Sequence, residues 1–83
     1  MTRCQKEIAV LAKYDKGQFL QQKQHFNALR DNSAKYLLLR EQLSTDMRIT
    51  LDSIYEAQLA KRCHTIHSLL FEAIMADAEE VHG

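Results

Sequence analysis

The sequence predicts an all-α protein built as an antiparallel helical hairpin, and three observations carry that prediction. The 83 residues include no proline and only two glycines, which leaves few ways to make the turns a sheet needs. Ala, Leu, Gln, Lys, Arg and Glu, all strong helix formers, dominate the composition. Apolar residues recur every three or four positions, the spacing that lays a stripe along one face of a helix.

The stripe is clearest in the second half. Leu51, Tyr55, Leu59, Cys63, Ile66, Leu70 and Ile74 keep one phase, so a helical arm is expected over 46–80. In the first half Phe19, Phe26, Leu29, Tyr36, Leu43 and Met47 fall at heptad-like intervals, with Gln22, Ser33 and Arg40 at the remaining seam positions. Cys4, Ile8 and Leu11 continue that phase upstream, giving a second arm over 2–43. Ser44, Thr45 and Asp46 each suit a helix N-cap, so the turn is expected at 44–46. The first arm carries a candidate break near 15–17. If the chain breaks at Gly17, with glycine just past a helix end, residues 2–15 form a third helix. One domain of this size is near the lower limit for a single core.

Folding the arms about the turn sets residue i roughly opposite residue 89 − i. Phe19 then faces Leu70, Phe26 faces Cys63, Leu29 faces Ala60 and its neighbour Leu59, and Leu11 faces Ala78. Charge favours the same pairing: residues 1–43 carry a net charge of +4 and residues 44–83 a net charge of −4. Asp77, Glu79 and Glu80 oppose the dipole of their own helix end, but suit a place beside Lys6 and Lys13.

A two-stranded seam uses about two residues in seven, and this chain has apolar residues to spare. Leu37, Leu38 and Leu39 are consecutive and therefore span two faces of a helix; Leu69, Phe71 and Met75 do the same near the end. These six are the expected partner-binding residues. The surplus implies a helical bundle completed by a second copy, a homodimer, or by the helix of a protein partner.

The formal net charge of zero offers no global field for nucleic acid or anionic lipid. The longest apolar run, Ile8–Ala12, is far short of a membrane span. Two cysteines make no disulfide framework, so Cys4 and Cys63 are expected as free thiols in a cytoplasmic protein. Cys63 and His67 are four apart with His64 adjacent, and the hairpin sets His25 opposite His64. The spacing is metal-capable, but Cys on an apolar stripe serves more often as a small hydrophobe. No cofactor or metal is expected. The Glu-x-x-His formed by Glu79 and His82 is a single copy, whereas carboxylate-bridged bundles use two.

No glycine elbow or phosphate-cradling loop accompanies the Ser, His and Asp residues, so neither an enzyme nor a small-molecule substrate is expected. The reading is a non-enzymatic interaction module: an adaptor, chaperone or assembly subunit. The alternatives are a small dimeric nucleic-acid-binding regulator and a metal-binding helical bundle. In size and pattern alone the chain is similar to small helical chaperones and to subunits of coiled-coil assemblies; no motif carries the likeness.

Overall fold

The computed structural model describes residues 2–82. Three α-helices follow one another: α1 over Thr2–Tyr14, α2 over Lys16–Leu39 and α3 over Thr45–His82, with a 3₁₀ turn at Arg40–Gln42 between the last two. All the described residues lie in helices or the short connections between them, and no strand is present among them. The all-α hairpin is therefore the fold, in its three-helix form.

The 38 residues of α3 set the length of the molecule. At about 1.5 Å per residue they span nearly the whole of a rod measuring 58 × 17 × 17 Å. α2 lies antiparallel to α3. α1 turns back at Asp15 and runs parallel to α3, in the groove that α2 and α3 leave between them. Its course is fixed at three points: Cys4 is bonded to Cys63, Glu7 lies beside His67, and Lys13 and Tyr14 share a cleft with Ala73, Ala76 and Asp77. The rod thus has a three-helix end and a two-helix stem.

The break comes from a cap, not from glycine. Asp15 has extended backbone angles (φ −148°, ψ 93°), and its Oδ1 accepts from the Gln18 N–H at 3.1 Å, the geometry of an N-cap. Gly17 lies inside the first turn of α2 and has no positive φ. The expected glycine stop is therefore corrected to an aspartate start, two residues earlier. A Cβ on Gly17 would meet only Asp15 Oδ1, at 3.6 Å, an ordinary contact. Gly17→Ala is accordingly expected to stabilise the protein by about 0.5 kcal/mol, read from urea denaturation midpoints.

The hairpin turn also differs in detail. α2 stops at Leu39, the reversal occupies residues 40–44, and Ser44 starts α3 by accepting the Met47 N–H on its Oγ at 3.3 Å. The serine cap was legible. The 3₁₀ end of α2 was not, because no Gly or Pro marks it.

The core sits where all three helices meet. Cys4, Ile8, Phe26 and Ile66 form one buried cluster with Phe19, Leu59 and Cys63 packed on it. Leu11 and Ile66 are completely enclosed. The predicted register holds between α2 and α3, since Phe26 and Cys63 share this cluster and Leu29 and Leu59 line one groove. It fails for Leu11, which was expected opposite Ala78: once α1 doubles back, Leu11 no longer continues the antiparallel arm. Lys13 does lie beside Asp77, but in the parallel sense, and no ion pair within 4 Å joins them among the described residues.

Candidate interaction surface

Beyond the N-terminus of α1 the hairpin continues with no third helix over it among the described residues, and here the polar seam residues do the holding. Tyr36 is buried, stacks on Tyr55 with ring centroids 5.1 Å apart, and donates its hydroxyl to Asp52 Oδ1 at 2.7 Å. Arg40 grips the same carboxylate with two bonds, Nε to Oδ1 at 3.1 Å and Nη2 to Oδ2 at 2.7 Å. A planar fork on a carboxylate is the strong form of an ion pair. Ser33 donates instead to its own helix, at the Leu29 carbonyl, 2.8 Å away. Gln22 is buried at the three-helix end, and its Oε1 has no hydrogen-bond partner among the described residues.

Arg40 and then Tyr36 hold the Asp52 carboxyl down at about 2 by hydrogen bonding to its charged form. Burial, and then the hydrogen bond to Asp52, push the Tyr36 hydroxyl above its ordinary range. Asp52 is more acidic folded than unfolded, so its contribution is complete above about pH 4 and is lost as pH falls toward 2. Stability against urea is expected to fall across that window. Asp52→Asn should start lower and show a shallower acid loss, which parallel denaturation curves at stepped pH will show.

The latch closes one side of the stem and leaves its apolar rim uncovered. Leu37 is 64% exposed, Leu38 82% and Leu39 54%. Met47, Ile49 and Ile54 of α3 are exposed at the same end of the rod. Leu37 also lines a groove with Phe26, Leu29, Ala34 and Leu59, which runs on from the groove that α1 fills. At the other end Phe71 and Met75 are exposed, and Leu69 is half-buried. The six residues expected to bind a partner thus fall in two groups at opposite ends of the rod. Ile49 and Ile54 were not singled out from the sequence, although their place off the α3 seam was a signal that they would face outward.

The cysteine and histidine residues are arranged differently from expectation. Cys4 and Cys63 are not free thiols; they form a disulfide with a Cα–Cα distance of 5.5 Å, across 59 residues of sequence. The correction has a physical reason: the fold-back of α1, which spacing alone did not reveal, brings Cys4 onto the α3 stripe. His64 and His67 flank this bond together with Arg3 and Glu7, and His67 Nδ1 lies 3.4 Å from Glu7 Oε1. His25 lines a separate cleft with Gln58, Lys61 and Arg62, whereas His64 lines the one beside the disulfide. No group of three His, Cys, Asp or Glu suited to a metal occurs among the described residues. The Glu79 and His82 motif ends on a side chain outside the described residues.

Over residues 1–82 the chain matches the model of the YuaE protein family. The chain belongs to the YuaE family. No curated protein and no solved structure matches it. Membership covers all three helices and the turn between them, so α1, the stem and both cysteines all lie within the family's extent. No described helix is long and apolar enough to cross a membrane.

Proposed function

We propose that this YuaE-family chain is a non-enzymatic helical interaction module, an adaptor, chaperone or assembly subunit that binds the helix of a partner or a second copy. The observation that carries the reading is the uncovered apolar rim of the two-helix stem, formed by Leu37, Leu38 and Leu39 with Ile49 and Ile54. Scattered exposed leucines are ordinary on a protein surface; neighbouring ones at the end of a rod are the mark of a docking face. The groove that continues from α1 supports a helical occupant, because α1 already shows what kind of segment the space between α2 and α3 accepts.

Light scattering on the eluting chain, with and without added amphipathic helical peptides, tests the reading. The wild type should run above monomer mass or bind such a peptide. The combined change Leu37→Ser, Leu38→Ser and Leu39→Ser should abolish peptide binding and any association made through the stem, while circular dichroism stays helical. A wild-type monomer that binds no helical peptide at its highest attainable concentration would falsify the proposal. The proposed compartment is the cytoplasm, and the Cys4–Cys63 bond, of a kind the thiol pool there keeps largely reduced, is the observation that weighs against it. Alkylation trapping of Cys4 and Cys63 in intact cells checks this, and a fully oxidised pair would overturn the assignment.

A further inference from the structure

α1 is attached to the rest of the protein by a connector of one residue. Both helices run right up to Asp15, and helical hydrogen bonds already exist on either side of it: the Asp15 N–H donates to the Leu11 carbonyl at 2.8 Å, and the Phe19 N–H donates to the Asp15 carbonyl at 2.9 Å. Straightening the chain would give the N–H groups of Lys16, Gly17 and Gln18 the carbonyls of Ala12, Lys13 and Tyr14. It would cost the single cap bond on Asp15 Oδ1. The apolar phase survives the change, since Cys4, Ile8, Leu11, Phe19 and Phe26 fall on one stripe of a continuous helix. That helix, Thr2 to Leu39, has the 38-residue length of α3.

We infer that α1 exchanges between two copies of this chain. In the exchanged dimer each straightened α1 lies antiparallel to its own α3 and parallel to the α3 of the second copy. It fills the second copy's groove between α2 and α3, with Ile8 and Leu11 in their present surroundings. Two-fold symmetry satisfies both grooves at once, and the overlapping ends form a four-helix bundle with a stem projecting at each side. A very short hinge is the feature that favours such exchange over closure within one chain. Cys4 then meets Cys63 of the second copy. Two bonds within chains become two bonds between chains by thiol–disulfide exchange: an added thiolate attacks one sulfur, the displaced cysteine thiolate attacks the other disulfide, and the last step returns the thiol without net oxidation. This inference does not rest on the apolar rim of the stem.

The test uses the full chain prepared with normal and with heavy nitrogen, mixed, and refolded from the reduced state in a glutathione couple. Proteolysis and mass spectrometry then read the linked Cys4 and Cys63 peptides. Hybrid heavy–light links in the dimer fraction are expected; links only within heavy or within light chains would overturn the inference. Asp15→Ala, which removes the cap at both hinges, should raise the association constant about 25-fold, roughly fivefold for each hinge. Insertion of Gly-Ser-Gly after Asp15 relaxes the hinge and should return the protein to monomer with intrachain links. The serine variant of Leu37, Leu38 and Leu39 should keep its hybrid links. If it loses them, the stem and not α1 joins the copies, and the exchange is refuted while the stem reading stands.

Discussion

Replacing Ile66 with alanine is expected to lower stability by about 4 kcal/mol, a large share of what a domain this small possesses. Ile66 is completely enclosed and sits in a cluster that draws on α1, α2 and α3 together, with Cys4, Ile8 and Phe26 around it. Removing its side chain takes away the buried apolar atoms and leaves a cavity that three helices must collapse to fill. A domain of this size has on the order of 5–10 kcal/mol in total. Leu38→Ala makes the matching control, since Leu38 is 82% exposed and its loss should change stability by less than about 0.5 kcal/mol. Urea denaturation of both variants decides the point. Similar effects from the two would mean that the three-helix layer is not the centre of the fold.

Opening the Cys4–Cys63 bond is expected to cost a similar amount, about 4 kcal/mol from the chain entropy released across a separation of 59 residues. The loss should be felt first in α1. The bond ties the N-terminal end of that helix to α3, while its other end is held by the single residue Asp15. Without the bond, the face bearing Ile8 and Leu11 and the exposed contact of Glu7 with His67 must keep α1 in its groove, and thirteen residues must be ordered by non-covalent contacts alone. Thermal melts with and without a reducing agent, with the double change Cys4→Ser and Cys63→Ser as a non-reducible reference, measure the total. Amide exchange then locates it: residues 2–14 should lose protection before the stem, where Tyr36, Arg40 and Asp52 hold α2 to α3 independently. Equal melting temperatures in both redox states would show that the bond contributes nothing.

The stem was legible because its determinants are local or periodic. The phase of Leu51 to Ile74 marks the inner face of α3, Ser44 marks where α3 begins, and the spacing of Phe26 and Leu29 against Leu59 and Cys63 fixes the register. The leucine run at 37–39 was visible as surplus for the same reason: consecutive residues on a helix cannot all face one seam. Its exposure in the folded chain follows from nothing more distant than that.

What the amino-acid order determined by itself was therefore the helical class, the antiparallel pairing of α2 with α3, and an apolar excess beyond the needs of a two-helix seam. Tertiary structure decided the path of α1 and everything that depends on it: the parallel run along α3, the enclosure of Leu11, and the meeting of Cys4 with Cys63. The physical reason is that Cys4, Ile8 and Leu11 keep the same helical phase whether the chain runs straight or turns back. Periodicity is identical in the two cases. One aspartate side chain capping α2, and the burial gained when α1 enters the groove, select between them.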